Sequence, residues 1–114
     1  MVSVAEVRKR ALSFPGAVEQ PHFELISFRV NKKIFATIDK EKQRVCVMLT
    51  VIDQSAFCAF DQSIIYPVPN KWGKGGATYI ELKKVKKGMF KDALTTAYCK
   101  VAPKKLAANL QSMK

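Results

Sequence analysis

One histidine, His22, is all the imidazole in this sequence. Zinc sites that need two or three imidazoles are therefore ruled out, and Cys46, Cys58 and Cys99 lack the Cys-x-x-Cys spacing that could stand in for them. No metal and no cofactor is expected. Three widely spaced cysteines among apolar neighbours also argue against a disulfide framework and for a reducing compartment, the cytoplasm. Apolar surroundings raise a thiol's pKa rather than activate it, so a cysteine nucleophile with His22 as base is not supported. Carboxylates are scarce as well. Glu19 and Glu24 flank one loop, and no second acidic cluster supports acid–base chemistry. No apolar run approaches the roughly 18 to 20 residues that cross a bilayer, and the start, Met1-Val-Ser-Val-Ala-Glu-Val-Arg8, has no basic segment leading into an apolar one. Gly73-Lys74-Gly75-Gly76 lacks the Gly-x-x-x-x-Gly-Lys-Ser/Thr order of a Walker phosphate loop, and its glycines read as a turn that needs positive φ. No catalytic residue is assigned, and a non-enzymatic protein is expected.

What the chain does have is positive charge. Twenty Lys and Arg face nine Asp and Glu, giving +11 at pH 7 and a pI near 9.8. Such a field attracts polyanions and is screened over about 8 Å at physiological salt. With 114 residues, 48% hydrophobic and 25% charged, the composition is that of one ordinary globular domain spanning the whole chain. Only four of the basic residues are Arg, so bidentate reading of base edges has little to work with.

The pattern predicts an α+β fold. Ser3 and Glu6 have capping-box spacing, and Val4, Val7, Ala11 and Phe14 share one helical face, predicting a helix over 4–13 that Pro15-Gly16 stops. The stretch from there to Pro21 reads as a loop. A three-strand antiparallel meander follows: Ile26 to Val30, a tight Asn31-Lys32-Lys33 turn, Ile34 to Ile38, a polar turn, and Arg44 to Thr50. A short helix capped by Thr50 or Asp53 runs to about Asp61, its face drawn from Ala56, Phe57 and Phe60. Ser63 to Tyr66 and Ala77 to Leu82 form a wing-like hairpin around the loop of residues 67–76. Met89, Phe90, Ala93, Leu94, Ala97, Tyr98 and Val101 mark a C-terminal helix facing the sheet, broken at Pro103 before a last turn or two from Lys104 to about Gln111.

The hairpin loop is the candidate site. Trp72, the one tryptophan, stands between Lys71 and Lys74. It either stacks on an exposed base while the ammonium groups hold phosphates, or anchors the loop to the sheet. Residues 71–91 hold seven lysines against Glu81, and residues 29–44 hold six basic groups against Asp39 and Glu41. The two segments form a single basic surface if they share an edge.

Four stretches in order resemble the MmcQ/YjbR family: Phe14-Pro-Gly16, Phe28-Arg-Val-Asn-Lys-Lys-Ile-Phe-Ala36, Tyr66-Pro-Val-Pro-Asn-Lys-Trp-Gly73 and Ala93-Leu-Thr-Thr-Ala-Tyr98. The resemblance implies a twisted antiparallel sheet packed by helices, described as a double-wing or secretion-chaperone-like arrangement, and a predicted DNA-binding role. It points to Asn70, Lys71 and Trp72. Charge and resemblance together give the expectation: a largely sequence-nonspecific DNA-binding domain using Asn70, Lys71, Trp72, Lys74, Lys83, Lys84, Lys86, Lys87, Lys32 and Lys33. The alternative is a chaperone-like or adaptor module for an acidic protein partner. A monomer or weak homodimer that does not bind membrane is expected in either case.

Overall fold

A computed structural model describes residues 1–112. The elements run α1 (Val4–Leu12), β1 (Val18–His22), β2 (Leu25–Val30), β3 (Lys33–Asp39), β4 (Arg44–Met48), α2 (Val51–Cys58), β5 (Ile65–Pro67), α3 (Lys71–Lys74), β6 (Ala77–Glu81), α4 (Lys87–Val101) and α5 (Lys104–Ser112). The strands form one antiparallel sheet in the order β1-β2-β3-β4-β6-β5.

Alternation along the strands separates two faces. Phe28, Ala36, Val47 and Thr78 lie across from one another in register, as do Ile38, Val45, Ile80 and Ile65, and all eight are buried. This face carries the helices. Val7 and Ala11 of α1 and Phe90, Ala93, Leu94, Ala97 and Tyr98 of α4 complete the core, in the stripe that the sequence spacing predicts. Phe14 stacks on Tyr98 with ring centroids 4.6 Å apart, and Phe35 meets the same tyrosine edge-on at 5.6 Å. The Tyr98 hydroxyl donates to the Pro15 carbonyl oxygen at 2.6 Å, which ties α4 to the chain just after α1.

Local chemistry explains most boundaries. Ser3 caps α1 by accepting from the Glu6 amide at 3.1 Å, and Thr50 caps α2 by accepting from the Asp53 amide at the same distance. Asn31 and Lys32 both have positive φ, 51° and 68°, as a two-residue hairpin turn of the primed type demands. Ala102 is extended, with ψ 147°, because Pro103 excludes it from the helical region.

Three expectations are corrected. The segment before Pro21 is not a loop: residues 18–22 form an edge strand, where a proline is tolerated because no neighbour needs its N–H. The loop of residues 67–76 is not irregular throughout: residues 71–74 form a turn of helix. Finally, α2 ends at Cys58. Its buried positions are Gln54 and Cys58, while Phe60 lies beyond its end and is 73% exposed.

Candidate nucleic-acid interface

The other face of the sheet is where the site lies. Among the described residues no helix packs across it, and its central register row runs Thr37, Cys46, Tyr79, Tyr66, all half-buried. A groove of about 310 Å³ opens there, with Ile34, Met48 and Ala77 among its apolar lining and His22, Arg44, Asn70 and Trp72 as polar or amphipathic members.

Arg44 and Asp39 are its charged members. The guanidinium carbon sits 3.8 Å above the Tyr79 ring centroid, a cation–π arrangement across two paired strands. Burial works against the charge, but the neighbouring Tyr66 hydroxyl and the electron-rich surroundings of Tyr79 and Asp39 outweigh it and move the Arg44 pKa up. Arg44 is a permanent cation. Among the described residues it forms no ion pair, and its Nε is shut off from solvent without a hydrogen-bond partner. Tyr66 also donates its hydroxyl to Glu81; burial and that hydrogen bond push its phenol pKa up, against the lowering effect of Arg44.

The Trp72 loop closes one end of the groove, and its shape is set by backbone contacts. Asn70 caps α3, its Oδ1 accepting from the Trp72 amide at 2.8 Å. Gly73 is buried, and a Cβ there would lie 1.7 Å from the Val68 carbonyl oxygen. Gly76 has φ +111°, and a Cβ there would lie 1.8 Å from the Leu49 carbonyl oxygen. The expected positive-φ turn is thus at Gly76, while Gly73 is required by close approach. From below, the buried Gln54 amide donates to the carbonyl oxygens of Gly73 at 2.8 Å and Ala77 at 3.1 Å. Trp72 is left 68% exposed at the groove rim. The glycines and Gln54, rather than the indole, anchor the loop.

All ten nominated residues are exposed, but the sheet divides them. Lys32 and Lys33 turn at the end of the sheet where β4 passes into α2 and β6 begins, the end that also carries Lys71, Trp72 and Lys74. Lys83 and Lys84 follow β6 at the opposite end, beyond about 13 Å of strand, beside the β3–β4 turn that holds Lys40 and Lys42. Lys86 and Lys87 lead into α4, where Lys87 approaches Glu6 of α1 at 3.7 Å on the helical side. The two lysine-rich segments therefore do not make a single surface; each contributes two lysines to the Trp72 end.

Other expectations find their places too. Burial pushes the thiols of Cys46 and Cys58 up, as their apolar patterns suggest. His22 lines the groove, whereas Glu19 faces the helices and accepts from Arg8 at 2.9 and 3.0 Å, so the two do not converge. Arg44, Tyr79 and Gln54 were not foreseen. A signal existed for the first two: strand alternation puts Arg44, Cys46 and Tyr79 on the face opposite Val45, Val47 and Ile80. Gln54 is legible only once α2 has a buried side.

A six-stranded antiparallel sheet coated by helices on one face, with an open groove on the other, defines a two-layer α+β protein. The chain belongs to the YjbR family, whose model, described simply as YjbR, matches residues 12–100. Among solved structures it is similar to the Deinococcus radiodurans protein DR2400, described as a DUF419 domain, with a TM-score of 0.78 and 17% identity over 97% of this chain and 89% of that one. At that identity the likeness concerns the fold. Comparison with curated proteins gives no match. Among the described residues no helix is long and apolar enough to cross a membrane, and no cluster of three or more His, Cys, Asp or Glu is placed to hold a metal ion.

Proposed function

We propose that the protein is a non-enzymatic, largely sequence-nonspecific nucleic-acid-binding domain of the cytoplasm, which meets its ligand at the sheet end carrying Lys32, Lys33, Lys71, Lys74 and Trp72. The observation that supports this reading most is their company at one sheet end: four exposed lysines, none ion-paired among the described residues, and a 68% exposed indole. A large aromatic left in water costs free energy unless a partner covers it, and bases stack on such rings whatever their sequence. Lysine ammonium groups neutralise phosphates without reading bases. With about four phosphate contacts, log K should fall with log salt with a slope near −3.6 on duplex DNA, and Kd should lie around 10⁻⁴ to 10⁻⁶ M at physiological salt. Fluorescence anisotropy of a labelled oligonucleotide across a salt series is the test. Absence of binding at low salt sinks the proposal.

A second reading, a docking module for an acidic protein, draws on different residues. Val51, Ile52 and Phe60 on and beside α2 are 55%, 81% and 73% exposed. Phe23 is 93% exposed and held at φ +58° in the β1–β2 turn, a conformation uncommon for a bulky side chain. Replacing these four with serine should leave nucleic-acid binding unchanged, and a loss of DNA affinity would move the interface to them.

A further inference from the structure

We infer that the groove on the open sheet face receives one unpaired nucleobase, so that the protein prefers single strands to duplex. This rests on the nucleic-acid reading above and adds where the base goes.

The groove has the size, about 310 Å³, of the small end of ligand pockets, with an apolar lining and few polar groups, the usual makeup of such sites. The flat surfaces it offers a guest are the Trp72 indole at the rim and the Arg44 guanidinium, which covers the Tyr79 ring at 3.8 Å, with Tyr66 tilted 60° to Tyr79 at 5.7 Å. Arg44 has no ion pair among the described residues. Nucleobases offer a π-face to the indole and to the guanidinium plane. Charge then sets the direction of the strand. Lys71 and Lys74 flank Trp72, and Lys32 and Lys33 lie at the same sheet end, so the phosphates of a strand whose base enters past Trp72 run over the lysines.

Geometry gives the preference. A duplex keeps its bases stacked and paired, and extracting one costs unstacking energy, whereas a single strand offers a base without that cost. Duplex DNA still meets the lysines but leaves the groove empty.

Trp72, the sole tryptophan, is the probe. Its emission is followed while a 15-mer of thymidylate, the same length of duplex, and a 15-mer of abasic deoxyribose phosphate are titrated at one low salt concentration. The thymidylate strand should bind about tenfold more tightly than either of the others and quench Trp72. Trp72→Ala and Arg44→Met, read by anisotropy after circular dichroism shows them folded, should remove that tenfold preference, bringing thymidylate affinity down to that of the abasic strand. Trp72 is exposed, so Trp72→Ala keeps the test open even if Arg44→Met unfolds. Salt-dependent duplex binding with no preference for thymidylate over the abasic strand overturns this inference alone. Failure of all three ligands overturns it together with the nucleic-acid reading. A polyglutamate peptide that reproduces the quenching and is lost in Arg44→Met would show that the groove reads carboxylates and not bases.

Discussion

Gln54 donates from a buried side-chain amide to the carbonyl oxygen of Gly73, 2.8 Å away and nineteen residues along the chain. One amide on α2 thereby holds the loop that displays Trp72. The same nitrogen reaches the Ala77 carbonyl at 3.1 Å, so it spans the helical turn and the first residue of β6. Both carbonyls also accept a backbone amide, from Gly76 and Val68 at 3.1 and 3.0 Å. Gln54→Leu therefore orphans neither acceptor completely. A loss of about 1 to 2 kcal/mol is expected, a fall of several degrees in the melting temperature, with lower Trp72 anisotropy as the loop loosens. An unchanged melting curve would show that the glycine contacts alone hold the turn.

Close backbone approach makes the loop glycines irreplaceable. Alanine at Gly73 or Gly76 would place its Cβ 1.7 or 1.8 Å from a carbonyl oxygen, and Gly76 adds φ +111°. Each substitution should cost about 3 kcal/mol or more, because main chain has to move in both cases. Gly88 is the internal comparison. It lies early in α4 with nothing within 4 Å of an added Cβ, so Gly88→Ala should stabilise by about 0.5 kcal/mol through helix propensity. Denaturant midpoints for the three variants check both directions.

Helices and central strands were legible because their apolar periodicity is a direct consequence of having one buried face. The α4 stripe and the buried row through Val45 and Val47 are the clearest cases. β1 was hidden because an edge strand need not alternate: Val18-Glu-Gln-Pro-His22 is polar, contains a proline, and gains its conformation from pairing with β2. The helical turn at Lys71 was hidden by the glycines, which read locally as breakers but serve here to let backbones touch. The site suffered most. Lysines near in sequence, Lys74 and Lys83, are sent to opposite sheet ends by β6, while Lys33 and Lys71, far apart in sequence, are brought to the same one. Only register decides that.

Alkaline pH should destabilise the protein through two phenols, the buried Tyr98 and the half-buried Tyr66. Burial raises the pKa of Tyr98, and burial together with the Glu81 hydrogen bond raises that of Tyr66. A phenol whose folded pKa exceeds its unfolded value stabilises the fold fully below about pH 10, and that contribution is lost as pH rises from there through the folded value. Denaturant midpoints should thus begin to fall above about pH 8.5, where the unfolded thiols of Cys46 and Cys58 ionise ahead of the folded ones, and fall further above about 10 as the phenols do. Tyr98→Phe keeps the ring packing on Phe14 and Phe35 but loses the bond to Pro15. It should cost about 1 kcal/mol at pH 7 and flatten the alkaline fall; an equally steep fall would put the effect elsewhere.

The division of the lysines yields the sharpest comparison. Lys71 and Lys74 share the Trp72 end, whereas Lys83 and Lys84, equally exposed, lie past the far end of β6. Each phosphate contact contributes about 0.9 to the slope of log K against log salt on duplex DNA. If the interface is the Trp72 end, Lys71→Gln with Lys74→Gln should flatten the slope by about 1.8, while Lys83→Gln with Lys84→Gln leaves it close to wild type. Both pairs remove two charges, so net charge and long-range attraction change equally and only the point of contact differs. Equal losses from the two pairs would mean that DNA senses the overall field of the protein rather than one end of its sheet.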